Sequence, residues 1–185
     1  GVPGYVRTHP LTTDRIAEMQ DRVRMVAARN VPTGIEFYFI KARARLEQAG
    51  SSSGLYDLRN TFESLSKQAP IGKQMEGTYG LALVAQRQGK IDQAETYLQQ
   101  AKKLAQTASA PGSPIQRQSL SLDITSSELA LAKGKGEEAL QISQATLNAF
   151  PQSYAAGVAM INAELKLGKT NDAINWLKAR TRSEE

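Results

Sequence analysis

Apolar residues recur every three to four positions along most of the chain, the spacing that puts them on one face of an α-helix. Ile16, Met19, Val23 and Val26 mark the first such run, capped by Thr12 or Thr13 and stopped at Asn30-Val31-Pro32. A second run extends from about 34 to 49 and carries Phe37, Ile40, Ala44 and Leu46. Gly50-Ser51-Ser52-Ser53-Gly54 reads as a flexible break. Leu55, Leu58, Phe62 and Leu65 then line a third helix that ends before Pro70. Further helices are predicted at about 71–88, 91–107, 114–132, 136–149, 152–167 and 170–181, bounded by Gly89, Pro111-Gly112-Ser113-Pro114, Gly134, Pro151 and Gly168. No stretch alternates with the period of two that a strand requires, so the pattern predicts an all-α fold.

The breakers themselves repeat. Gly89-Lys90-Ile91-Asp92-Gln93-Ala94, Gly134-Lys135-Gly136-Glu137-Glu138-Ala139 and Gly168-Lys169-Thr170-Asn171-Asp172-Ala173 share one form, Gly-Lys, a variable residue, two acids or amides, then Ala. Ala139 and Ala173 lie 34 residues apart, the period of a tetratricopeptide repeat. Ala94 and Ala139 lie 45 apart, the excess matching the Thr107–Pro114 loop and a lengthened helix end. Leu98, Ala101 and Leu177 fall at second-helix positions of their units, and Pro151 closes the middle unit. Ala82, Ala85, Ala94, Ala101, Ala130, Ala139 and Ala173 would let paired helices approach closely, with Leu, Tyr and Ile filling the spaces between pairs. On these residues the chain from about 34 to 181 resembles the tetratricopeptide family, which implies a solenoid of antiparallel helix hairpins in units of about 34–70, 75–108, 120–151 and 154–181. Ser126, Ser127 and Ser143 depart from the pattern, and no unit carries its Trp. An irregular helical bundle with accidental Gly-Lys turns is the competing reading. Stacking would be required for stability, since one hairpin cannot bury its own apolar face.

Composition agrees with helix: Ala, Leu and Gln are abundant, and these residues lose little side-chain freedom in that conformation. The hydrophobic and charged fractions, 41% and 22%, are those of a globular chain of 185 residues. Cys is absent, excluding disulfides, Cys-ligated zinc and thiol catalysis within the chain, and a single His excludes a local His-rich metal site or Ser-His-Asp triad. The net charge of +5 comes from interspersed Lys, Arg, Asp and Glu, not from the clustered basic stripe of a nucleic-acid binder. No apolar run reaches the roughly 18–20 residues needed to span a bilayer, so no membrane insertion is expected. No metalloprotease, P-loop, nucleophile-elbow or dinucleotide motif is present. Glu137 and Glu138 read as solvated carboxylates in a first helical turn.

The N-terminal run differs. Gly1-Val2-Pro3-Gly4 has neither an initiator Met nor a signal-peptide core and reads as a cut within a longer protein. Thr8-His9-Pro10-Leu11-Thr12-Thr13-Asp14-Arg15-Ile16 has the form Thr-His-Pro-x-x-x-x-Arg-Ile and precedes the first helix. With the repeats that follow, this run resembles the segment after the catalytic domain in periplasmic zinc metallopeptidases of the BepA type, relatives of HtpX. The resemblance implies a linker and helix at 1–32, a repeat domain at 33–185 and a zinc-bearing peptidase domain upstream. It also implies a periplasmic setting in envelope quality control, with the peptidase domain and the outer-membrane protein assembly machinery as partners. The chain itself would then be a non-enzymatic interaction module without a cofactor of its own. Pro10 holds the residue before it extended, so His9 would sit in a loop, with the resemblance implying a position from which it could cap the zinc of the intact enzyme; a plain contact with the catalytic domain or a local turn is the simpler role.

Transferring the repeat register places Tyr79, Leu83, Gln86 and Arg87, then Ile124, Glu128 and Leu131, then Val158, Asn162, Leu165 and Lys166 along a concave groove suited to a peptide or loop. Arg87 and Lys166 could take a carboxylate. Trp176 is expected to pack under the last turn. A stand-alone adaptor that binds a partner's tail is the alternative, and the His-Pro run weighs against it. An enzyme in its own right is disfavoured for want of a nucleophile and base. A nucleic-acid-binding helical repeat comes last.

Overall fold

A computed structural model describes residues 34–50, 52–108 and 119–182. The chain divides into two compact units at Thr33/Gly34, and the described residues belong to the second. The helix expected over Ile16–Val26 and the loop of His9 lie outside them. The described residues form eight helices: α1 (Ile35–Gln48), α2 (Ser52–Ser66), α3 (Ile71–Arg87), α4 (Ile91–Ala108), α5 (Leu120–Ala132), α6 (Gly136–Ala149), α7 (Tyr154–Lys166) and α8 (Thr170–Arg182). No strand occurs among the described residues, and the protein is all-α. Two boundaries differ from the pattern reading. α5 begins at Leu120, not near 114, because the Ser119 hydroxyl caps it by accepting from the Leu122 amide at 3.3 Å. α2 begins at Ser52, inside the expected break. Gly54 sits so close to the end of α1 that a Cβ there would lie 2.1 Å from the Ala49 carbonyl oxygen.

The three Gly-Lys turns are one structural object. Gly89, Gly134 and Gly168 have φ of 72°, 76° and 74°, the left-handed region that a side chain disfavours. Each ends its helix with the same pair of bonds. The glycine amides reach Gln86 O, Leu131 O and Leu165 O at 2.9, 3.0 and 3.1 Å, and the lysine amides reach Ala85 O, Ala130 O and Glu164 O at 2.9, 2.9 and 2.8 Å. This is a Schellman closure, which satisfies carbonyls that a helix end leaves open. The same lysine carbonyls accept from Ala94, Ala139 and Ala173 to start the next helix.

Packing follows from small residues at these pairs. Ala82, Ala85, Ala94, Ala101, Ala130, Ala139 and Ala173 are all buried. α3 is the centre of the larger core: every residue from Met75 to Ala85 is buried, against α1, α2 and α4. On its α2 side Gly77 and Gly80 admit Phe62 and the α2 backbone, since a Cβ on Gly80 would lie 2.4 Å from the Phe62 ring. The buried serines that break the repeat pattern are satisfied: Ser143 donates to the Ala139 carbonyl at 2.8 Å and accepts from the Ser127 hydroxyl at 2.7 Å. Trp176 lies over Gly157 of α7, where a Cβ would come 2.1 Å from the indole. Leu177, expected to fill its unit, is 47% exposed, because α8 packs chiefly on α7 alone.

α1 is the departure. Its buried face is Phe39, Ala42 and Leu46; of the expected positions Leu46 is buried, whereas Phe37 and Ile40 are 53% and 57% exposed and Ala44 is exposed. α1 touches α2 sparsely and instead lies on α3 and reaches α5. Glu36 and Arg43 tie it to α5. Glu36 accepts from the Ser119 hydroxyl at 2.6 Å, the Ser121 amide at 2.9 Å and the Ser121 hydroxyl, placing a carboxylate at the start of α5 where the helix dipole favours it. Arg43 donates to Tyr79 Oη at 2.7 Å and Thr125 Oγ1 at 2.8 Å.

Candidate functional site

A cleft of about 270 Å³ opens between α5 and α7. Ser153 starts α7 by capping, its hydroxyl accepting from the Ala156 amide at 3.2 Å. From that start, Tyr154, Val158 and Asn162 succeed one another at four-residue spacing and face one side of the helix. Ala155 and Ala159 keep α7 narrow beside α5. Leu131, Ala155, Val158 and Ala159 supply apolar walls, Ser127 closes the cleft on the α5 side, and Glu128, Tyr154 and Asn162 complete the lining. Tyr154 is 71% exposed.

Among the described residues, Glu128 is the only charged one lining the cleft. Its Oε2 accepts from Gln86 Nε2 at 3.0 Å and lies 3.8 Å from an Arg43 nitrogen. Arg43 directs its short bonds elsewhere, to Tyr79 and Thr125, and its guanidinium also stands 5.9 Å from the Tyr79 ring centre. Tyr79 and Thr125 share a further 2.8 Å bond, and burial pushes the Tyr79 phenol above its ordinary pKa, so it stays neutral.

Of the residues expected to form the groove, Glu128, Leu131, Val158 and Asn162 come together in this cleft. Gln86 supports Glu128 from α3. Leu165 and Lys166 are exposed at the end of α7. Three others are corrected: Tyr79, Leu83 and Ile124 are buried, at 0%, 3% and 8% exposure. For Tyr79 the cause is α1, whose Phe39 meets its ring edge-on with centroids 5.0 Å apart and whose Arg43 covers its hydroxyl. Arg87 is not waiting for a ligand carboxylate either, since it binds Glu47 at 2.7 Å and the Leu46 carbonyl at 3.2 Å. The register omitted Ser127, Tyr154, Ala155 and Ala159. Tyr154 was within reach: it is one turn before Val158 in the same ladder.

A smaller cleft of about 90 Å³ lies among α4, α5 and α6. Two of its three lysines are paired: Lys133 binds Glu95 and also Asp92 at 3.2 Å, and Lys135 binds Glu138 at 3.1 Å. Among the described residues no group of three or more His, Asp or Glu converges to hold a metal ion. No described helix is long and apolar enough to cross a membrane. No family model matches the chain.

Proposed function

We propose that the chain is a tetratricopeptide-like interaction module that binds a polypeptide segment in the cleft between α5 and α7. The observation that carries this reading is the convergence of Glu128, Leu131, Val158 and Asn162 on one apolar cleft with a polar rim. Apolar walls accept a side chain, and carboxylate and amide groups at the rim engage its backbone or neighbours. The three identical Gly-Lys turns support a repeat origin for the helices that build it.

The parent protein is read as a BepA-type zinc metallopeptidase of the periplasm, in which this module docks substrates or assembly partners for an upstream catalytic domain. That reading rests on the His-Pro-x-x-x-x-Arg-Ile run and its place ahead of the tetratricopeptide-like repeats. Zinc would be held by the upstream domain, and His9 is the one residue of this chain offered as a contact to it. Sequencing the parent gene tests it: a His-Glu-x-x-His helix encoded upstream of Gly1 supports it, and its absence leaves a stand-alone adaptor.

Selection from a displayed random peptide library on the 185-residue chain tests the binding reading. Enriched peptides are expected to bind the wild type and to lose about tenfold or more on Val158→Asp, which buries a charge among apolar walls. Failure to enrich any peptide, or binding that Val158→Asp leaves unchanged, would contradict it.

A further inference from the structure

Building on the peptide-binding reading, we infer that the α5/α7 cleft selects an aromatic side chain accompanied by a cationic group, as in a segment that pairs an aromatic residue with Lys or Arg. Size is the first argument. A cavity of about 150 Å³ suffices for a benzene ring, and this cleft offers about 270 Å³, room for a larger ring with part of its stem. The walls are Leu131, Ala155, Val158 and Ala159, and the exposed Tyr154 ring at the rim provides a face or edge for aromatic contact.

Charge is the second argument. Among the described residues Glu128 brings the only formal charge to the lining, and its hydrogen bond from Gln86 and its ion pair with Arg43 both fall on Oε2. Its Oε1 is left to accept a bond from an ammonium or guanidinium, and the same carboxylate repels an anionic ligand. Arg43, 3.8 Å from Oε2, offsets part of this charge from the Oε2 side, with its short bonds made to Tyr79 of α3 and Thr125 of α5, and makes no contact with Oε1.

Three probes of one ring and differing charge separate the two arguments: indole, tryptamine and indole-3-propionate, each titrated into the ¹⁵N-labelled 185-residue chain. All three should shift the amides of Leu131, Val158 and Asn162 if the ring enters the cleft. Tryptamine should bind about fivefold tighter than indole, the ratio expected for one opposite charge near a partly exposed carboxylate, with indole-3-propionate weakest. Glu128→Gln should level the series, and 0.5 M NaCl should compress it in the wild type, a check that needs no variant. Equal binding of amine and acid, or shifts that avoid these amides, would overturn the inference. Its failure is separable from failure of the broader reading: peptides that bind the cleft but lack an aromatic–basic pair would sink only the selectivity. A correct probe order with no peptide enriched would sink only the polypeptide partner.

Discussion

Glu76 stands at 1% exposure in the middle of α3 with two cations on it, Lys41 at 3.1 Å and Arg45 at 2.8 Å, both from α1. Either cation alone keeps the carboxylate paired, so Lys41→Ala should cost about 1 kcal/mol, the scale of a half-exposed ion pair. Removing both strands a buried charge, and the double variant should cost about 3 kcal/mol or more in urea denaturation. A double variant no worse than Lys41→Ala would refute the pairing. Glu164 is the opposite case: it is buried, and its Oε2 has no partner. Burial, with the charge of Asp172, raises its pKa, while Lys169 draws it down. A folded pKa above the unfolded value means the folded state binds the proton more tightly. The penalty from this group therefore acts at neutral pH, lifts as pH falls through the folded pKa, and is gone below the ordinary value of about 4.5. Glu164→Gln should raise stability at pH 7 and remove this group's contribution to the change in stability between pH 7 and 4. An unchanged difference between the two pH values would reject this role. Neither feature was legible in the sequence, because the partners of Glu76 lie on another helix and a lone Glu near a helix end reads as solvated.

Helices and turns were far more legible. The Gly-Lys turns announce themselves because only a left-handed residue closes a Schellman end, and Gly takes that conformation freely. Two glycines with different tasks make the point testable. Gly89 needs only its positive φ, and a Cβ there meets nothing, so Gly89→Ala should cost about 1 kcal/mol. A Cβ on Gly77 would lie 2.3 Å from the Ser66 amide nitrogen and 2.5 Å from the Phe62 carbonyl oxygen. These are backbone atoms that cannot step aside, so Gly77→Ala should cost about 3 kcal/mol by forcing α2 from α3. Similar melting temperatures for the two variants would contradict the close approach. α1 was misread for a physical reason. Ile35, Phe37, Phe39 and Ile40 spread apolar side chains around its first turns, so periodicity names no single face. Its seat on α3 and α5 is fixed by Glu36 and Arg43, through bonds to residues as far away as Ser121 and Thr125.

At the scale of the molecule, the seat of α1 decides which part of the expected groove remains open. Repeat register places Tyr79, Ile124 and Val158 at equivalent positions, yet the first two are buried and only the last lines a cleft. Register alone carries no information about which neighbour covers an inner face, and the covering residues of α1 lie 36 and 82 positions from Tyr79 and Thr125. What survives is one cleft between α5 and α7, and the functional account stands on it. The most direct measurement is to saturate the ¹⁵N-labelled chain with a peptide from the display selection and map the amides that move. The account predicts shifts concentrated at Ser127, Leu131, Tyr154, Val158 and Asn162, and lost in Val158→Asp. Shifts centred instead on the exposed face of α1, around Phe37 and Ile40, or on α8 around Ile174 and Leu177, would contradict it.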